Sequence, residues 1–340
     1  MSPLEQDWDR AVAVLSSTPE IALTCHVDPD GDALGSMLAL ERVLRLRGVR
    51  TSATWGEDPS VQGEDRERGP RRVPKRYAFL PGIEHLTSPE QFPREPDVLI
   101  VIDCASIERV GTLRASAEAA RCVILIDHHD WGAPFGDIRL VDANAAASAV
   151  LVEELLRRMG AHLDREIATC LYVGLVTDTG RFQHASTTPT VMELGGRLIA
   201  CGIDHAAINR QVWGSHSFGY VKALARTMER AQVVPEAKLV WTVIWQNDLV
   251  ELGITMDETE DLIEVLRSVD ATECTCVCKE QQGSGWKVSL RSKGRVDVGQ
   301  IAVEFGGGGH PAAAGFTASG SLDDVLAAVV IRLVPRLARG

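Results

Sequence analysis

The chain has 340 residues, 45% of them hydrophobic and 24% charged, with a formal net charge of −12. That length suits two domains of ordinary size, and no apolar run approaches the roughly 20 residues that span a bilayer. The acidic balance gives no long-range steering toward polyanions, which argues against extended duplex nucleic acid and leaves a small, locally held phosphorylated substrate compatible.

The N-terminal stretch MSPLEQDWDRAVAVLSSTPE carries acids early and only a short apolar patch. It does not read as a secretory signal, and the expectation is a cytoplasmic protein. Residues 21–25, IALTC, predict a buried strand. Leu34, Met37, Leu38, Leu40, Val43 and Leu44 fall at helical spacing over 32–48, with Gly48 as the stop. Residues 50–55 predict a second strand, and 97–103 (DVLIVID) and 122–127 (CVILID) are continuous apolar strands of the parallel-sheet kind. Helices are expected at 148–159 and 165–177. The alternation predicts an α/β domain on a doubly wound parallel sheet.

Residues 56–76 interrupt this pattern. They are charged and rich in Gly and Pro, and read as an inserted loop. Arg71, Arg72, Lys75 and Arg76 would suit a phosphate there, although a solvated surface loop is the simpler reading. Residues 188–235 read as helices joining two halves. Beyond them, strands at 239–246, 272–280 and 286–293 mix with helices at 256–269, 297–306 and 321–337. This predicts a smaller α+β domain with a mixed sheet. The expected organisation is a catalytic domain over 1–187, a helical connector over 188–235 and a substrate-binding domain over 236–340, the two domains separated by a cleft.

Cys274, Cys276 and Cys278 alternate, so they share one face of a strand. Neighbouring strand positions suit tetrahedral chelation poorly and no fourth ligand is evident. A buried, reduced face is expected rather than zinc.

Three predicted strands run straight into potential ligands. The first leads to His26, Asp30 and Asp32, the second to Asp103, and the third to Asp127, His128 and His129. Ligands of an open parallel sheet bind outside the carboxyl ends of its strands, so these sets converge on one edge. Asp178, in TDTGRF, is a fourth acid of the same kind. One such Asp alone reads as a helix cap; three strand ends together predict a metal site. Imidazole and carboxylate donors without thiolate favour Mn²⁺ or Mg²⁺, with Fe²⁺, Co²⁺ or Zn²⁺ as alternatives. Asp30, Asp32, Asp103 and Asp178 sum to −4, which two divalent ions neutralise. Two adjacent ions sharing a carboxylate suit in-line attack on phosphorus.

HVDPDGD (26–32), Asp103 in VIDC, DHH at 127–129 and TDTG at 177–180 resemble, in order and spacing, the four motifs of the DHH phosphoesterase superfamily. FGGGGHPAAAG (305–315) resembles the glycine-rich motif of the DHH-associated C-terminal domain. The likeness covers roughly residues 20 to 320. Within the superfamily the layout is similar to oligoribonucleases that degrade nano-RNA and also dephosphorylate 3′-phosphoadenosine 5′-phosphate; related members cleave cyclic di-AMP or its linear product.

The resemblance implies that His26, Asp30 and Asp103 hold one metal. Asp32, Asp103, His128 and Asp178 would hold the other, with Asp103 bridging. His129 would contact the scissile phosphate, and Asp127 would orient the two histidines. Gly307, Gly308, Gly309 and His310, with Arg291 nearby, would bind the phosphate or nucleotide end of the substrate. The implied cofactors are two divalent ions, Mn²⁺ first, with Mg²⁺, Co²⁺ or Fe²⁺ as alternatives. A homodimer is also implied, with no membrane and no duplex nucleic acid as partner. Taken alone, a run of glycines is more often a flexible loop and Arg291 a solvated strand residue. Glycines do, however, let backbone N–H groups approach an anion closely.

The expected activity is hydrolysis of very short 5′-phosphorylated oligoribonucleotides to nucleoside 5′-monophosphates, with 3′-phosphoadenosine 5′-phosphate and cyclic di-AMP or its linear product as further substrates. A pyrophosphatase or polyphosphatase of the same superfamily is the enzyme alternative, and the GGGGH motif argues against it. A non-catalytic nucleotide sensor is the other; it is disfavoured because every ligand position is filled. Gly31 and Gly35 are expected to permit a tight strand-to-helix turn. Two residues stay open: His184 either lines the site or does not, and Arg109 either approaches substrate or caps a helix. Asp28 stands where relatives often carry Asn.

Overall fold

Apolar runs that end in an acid form adjacent strands of one parallel sheet. The computed structural model describes residues 3–57, 73–129, 131–283 and 285–338. Arg71 and Arg72 lie outside the described residues. The chain divides into two compact units, residues 1–214 and 215–340.

The first unit begins with helix α1 (Pro3–Ser17), strand β1 (Glu20–Cys25), α2 (Gly31–Leu46) and β2 (Arg50–Ala53). It continues through β3 (Leu99–Ile102), α3 (Arg114–Ala119), β4 (Val123–Asp127) and β5 (Ile138–Val141). Helices α4 (Ser148–Arg158), α5 (Arg165–Asp178), α6 (Pro189–Ala200) and α7 (His205–Trp213) complete it. The sheet order is β2-β1-β3-β4-β5, and every neighbouring pair is parallel. Successive strand residues face opposite sides. Ile21, Leu23, Ile100, Ile102, Ile124 and Ile126 join the large core under α1, α2, α4 and α5. Ala22, Leu99, Val101, Val123 and Leu125 join a smaller core with Val110, Leu113 and Ala117. Cover on both faces is why these strands read as unbroken apolar runs.

Helices α2 and α5 meet at backbone contact. A Cβ on Gly35 would lie 2.3 Å from the Cys170 carbonyl, and one on Gly31 would lie 2.5 Å from Thr177 Cγ2. A Cβ on Gly174 would meet Asp32 Oδ1 at 2.7 Å. This corrects the turn role expected of Gly31 and Gly35: both lie within α2 and serve helix packing. Gly35→Ala is expected to destabilise the protein by about 1–3 kcal/mol, although alanine favours helix over glycine by about 1 kcal/mol. A thermal melt checks it; an unchanged Tm would show that the helices part without cost.

The second unit contains α8 (Phe218–Glu229), β6 (Gln232–Val234), β7 (Leu239–Ile244), α9 (Gln246–Leu252) and α10 (Leu262–Arg267). It ends with β8 (Cys274–Glu280), β9 (Trp286–Ser292), α11 (Val298–Glu304), β10 (Gly308–His310), β11 (Ala313–Ala318) and α12 (Leu322–Leu337). Its sheet order is β10-β11-β9-β8-β7-β6. Only β7 and β8 run parallel, so the sheet is mixed. Cys274, Cys276 and Cys278 share the buried face with Val288 and Leu290. The stretch 188–235 is shared between the units: α6 and α7 lie in the first, while α8 and the short strand β6 open the second.

Candidate metal centre

The parallel arrangement delivers the carboxyl ends of β1, β3 and β4 to one edge, and His26, Asp103 and His128 follow them there. Asp30 caps α2, its Oδ1 accepting from the backbone N–H of Asp32 and Ala33 at 3.0 Å each. It therefore serves as the helix cap its position suggests and lies beside His26 as well, 3.9 Å from Nε2. Asp32, in the first turn of α2, is fully buried. Its Oδ1 accepts from Ser36 Oγ at 3.0 Å and Ala149 N at 2.9 Å, and its Oδ2 from Ser148 N at 2.5 Å. The N-terminus of α4 thus points its free N–H groups at this carboxylate. Asp178 closes α5 and reaches His128, Oδ2 to Nε2 3.1 Å.

Asp103 stands in the middle. Its Oδ2 lies 3.6 Å from His26 Nε2, and its Oδ1 lies 3.4 Å from His128 Nε2. Ser148 Oγ donates to Oδ1 at 3.0 Å. The backbone of Asp103 is left-handed, φ 56°, a conformation that Asp and Asn tolerate better than most residues.

Two neighbouring sets of donor atoms result. His26, Asp30 and Asp103 form one, and Asp32, His128 and Asp178 the other; within each set the donor atoms lie within 4.8 Å of one another. The imidazoles are oriented for the same purpose. His26 Nδ1 lies 2.6 Å from the Val27 carbonyl, and His128 Nδ1 lies 3.2 Å from the Ala145 carbonyl. A proton on Nδ1 satisfies both contacts and turns each Nε2 toward the carboxylate cluster. His129 donates Nδ1–H to Asp127 Oδ1 at 2.6 Å, and the same oxygen accepts the backbone N–H of His128 at 2.9 Å. Asp127 therefore holds the His129 imidazole and the backbone of His128. The indole of Trp131 meets His129 edge-on, ring centroids 5.4 Å apart.

Electrostatics show what this arrangement lacks in protein groups alone. Burial, and then the charges of Asp103 and Asp178, push the Asp32 carboxyl well above the usual carboxylate range. Burial raises Asp178 to about 6 against the pull of its hydrogen bond with His128. Burial works against ionisation at Asp103 too, but hydrogen bonds from His128 and His26 outweigh it and hold that carboxyl well below the ordinary range. Burial disfavours the His128 imidazolium, yet hydrogen bonds to Asp103 and Asp178 push it up to about 12. Protons are thus drawn into a buried anionic cluster. Its all-nitrogen and oxygen donor set fits divalent cations in the same place.

The remaining expected residues lie in the second unit. The strand register places His310 opposite Ala313 and Ala313 opposite Arg291, so His310 and Arg291 flank the same position on β11. Arg291 donates from Nε to Glu264 Oε1 at 2.7 Å. Gly307 and Gly309 are confined by packing: a Cβ on Gly307 would meet the Gly315 carbonyl at 2.2 Å, and one on Gly309 would meet Ala314 Cα at 2.5 Å. Gly308 pairs with Gly315 in the hairpin. The run expected as a loop is therefore half a hairpin, and contact with β11 accounts for two of its glycines.

Ser36 and Ser148, which anchor Asp32, were not legible as site residues. The only signal was the predicted helix start at 148. His184 joins the site indirectly, its Nδ1 3.0 Å from the Asp178 carbonyl. Asp28 adopts a left-handed backbone, φ 51°. That conformation suits Asp and Asn alike.

Comparison with known proteins agrees with the geometry. Residues 20–175 match the DHH family N-terminal domain and 238–333 the DHHA1 domain. The bifunctional oligoribonuclease and PAP phosphatase NrnA of Thermus thermophilus is 30% identical over 323 residues, covering 94% of this chain and 91% of that protein. Its namesake from Bacillus subtilis is 27% identical over 309 residues, 89% and 91% of the two chains. The crystal structure of an exopolyphosphatase-related protein from Bacteroides fragilis superposes with a TM-score of 0.87 over 98% of both chains at 23% identity, a likeness of fold. RecJ of Thermus thermophilus in complex with Mn²⁺ shares the fold at a TM-score of 0.53 and 15% identity, covering 55% of RecJ. No helix among the described residues is long and apolar enough to cross a membrane. This chain belongs to the DHH family and is a phosphoesterase that joins a DHH domain to a DHHA1 domain.

Proposed function

We propose that the protein is a two-metal phosphodiesterase that hydrolyses very short 5′-phosphorylated oligoribonucleotides to nucleoside 5′-monophosphates, and that also accepts 3′-phosphoadenosine 5′-phosphate and the linear product of cyclic di-AMP. The observation that carries this reading is Asp103, whose two oxygens face two histidines from opposite sets. His26, Asp30 and Asp103 would hold one ion, and Asp32, Asp103, His128 and Asp178 the other, Mn²⁺ in each. When bound, such a pair activates water and neutralises charge on the phosphoryl oxygens. The protein's own groups do the rest. Asp127 holds His129 through Nδ1–H, and His129 would meet a substrate phosphate through Nε2. Ser148 and the α4 N-terminus hold Asp32 and Asp103 in place. The names of the relatives support the nucleotide substrate, and the resemblance supports a homodimer.

In the second unit, His310 and Arg291 would grip the phosphate end of the nucleotide. His310→Ala is expected to raise KM for diadenylate about tenfold to a hundredfold, the loss of one charge-assisted hydrogen bond, with kcat little changed. Steady-state kinetics decide, and an unaltered KM removes His310 from substrate binding. The function is tested by measuring kcat/KM side by side for linear diadenylate, a longer nano-RNA, 3′-phosphoadenosine 5′-phosphate and cyclic di-AMP in Mn²⁺. Diadenylate should lead. Turnover of pyrophosphate or polyphosphate with none of these four would overturn the reading.

A further inference from the structure

Arg109 lies in a short 3₁₀ turn over Ile107–Leu113. The turn is locked against the first ligand loop. The Arg109 carbonyl accepts the Val27 N–H at 2.8 Å. Gly111, at φ 67°, leaves no room for a Cβ, which would lie 2.4 Å from Val27 Cγ1. On the other side the Thr112 N–H donates to the Glu57 carbonyl at 2.9 Å, and the Glu57 N–H donates to Thr112 Oγ1 at 2.9 Å. The half-buried guanidinium is therefore carried on a fixed frame.

Its one polar side-chain contact among the described residues is with His26, Nη2 to Nδ1 3.2 Å. His26 Nδ1 also stands 2.6 Å from the Val27 carbonyl oxygen, which can only accept. With the proton of Nδ1 committed to that carbonyl, the ring offers the guanidinium a poor acceptor. Among the described residues no carboxylate lies within 4.0 Å of it either. A cation in this place is repelled by a divalent ion at His26 unless an anion lies between them. The chemistry that fits is a phosphate oxygen, met by a planar fork of charged donors.

We propose that Arg109 is a phosphate-contacting residue of the active site, its guanidinium presented beside His26 to a non-bridging oxygen of the substrate phosphate. The assignment rests on the phosphodiesterase reading, so its test is arranged to be independent of the nucleotide. Calorimetry on the full-length Mn²⁺-loaded protein measures the affinity for inorganic phosphate, and a separate titration measures the affinity for Mn²⁺. Arg109→Gln is expected to weaken phosphate binding about tenfold to a hundredfold, with Mn²⁺ affinity kept within about twofold. Arg109→Lys should recover part of the phosphate affinity, because charge returns without the fork. Phosphate affinity unchanged in Arg109→Gln overturns the proposal. So does a loss of Mn²⁺ affinity as large as the loss of phosphate affinity, which would make Arg109 a support for His26 only. If diadenylate is not hydrolysed by the unaltered protein, the substrate reading fails while the phosphate titration still judges Arg109.

Discussion

Asp103→Asn is expected to lower kcat/KM for diadenylate by at least about a thousandfold, the equivalent of several kcal/mol of transition-state stabilisation. The substitution is chosen for what it spares. Asparagine matches aspartate in shape and is at home at φ 56°, whereas alanine adds backbone strain of about 1 kcal/mol at that position. It also keeps an oxygen for the Ser148 hydroxyl. What it removes is the one charge shared by His26 and His128. Circular dichroism and a melt within a few degrees of the parent would show an intact fold. A variant that still turns over at a tenth of the parent rate would end the bridging role of Asp103.

Removal of metal is expected to act as strongly. EDTA should abolish turnover and Mn²⁺ restore it, and saturating Mn²⁺ should raise Tm. At a hundredfold excess over Kd one ion stabilises the fold by about 2.7 kcal/mol. The cluster makes a further expectation about protons. His128 is pushed up to about 12 by its carboxylate partners, and Asp178 to about 6 by burial. An incoming cation must displace these protons, so binding releases them. Calorimetry in two buffers of different ionisation enthalpy should report that release at pH 7. Mn²⁺ affinity should fall as pH drops through about 6, where Asp178 takes up its proton. Activity that resists chelation, or binding that releases no protons, contradicts the two-metal mechanism.

Much of the fold was legible because a parallel sheet covered on both faces must be built from unbroken apolar runs. IALTC, VLIVI and VILI announce themselves for that reason, and so do the acids and histidines that follow them. Where that logic weakens, the reading weakens. β5 is short, lies at the sheet edge and carries Arg139. β10 and β11 are built largely from Gly and Ala, and Thr317 is the one β-branched residue in them to signal a strand. Asp32 was legible as a candidate ligand, but its support was not. Ser148 and Ala149 are more than a hundred residues away, and a contact at that separation leaves no local pattern.

The glycine contact between α2 and α5 would bear on which ion the site prefers. Asp32 belongs to one of these helices and Asp178 to the other, and Gly31, Gly35 and Gly174 bring the two together without side chains between them. The gap between the two acids is thus set by helix diameter rather than by loop conformation. A frame of that kind would behave as a stiff chelator, losing little entropy on loading and discriminating among divalent ions by radius. Three residues with no side chain would then count among the determinants of ion selectivity.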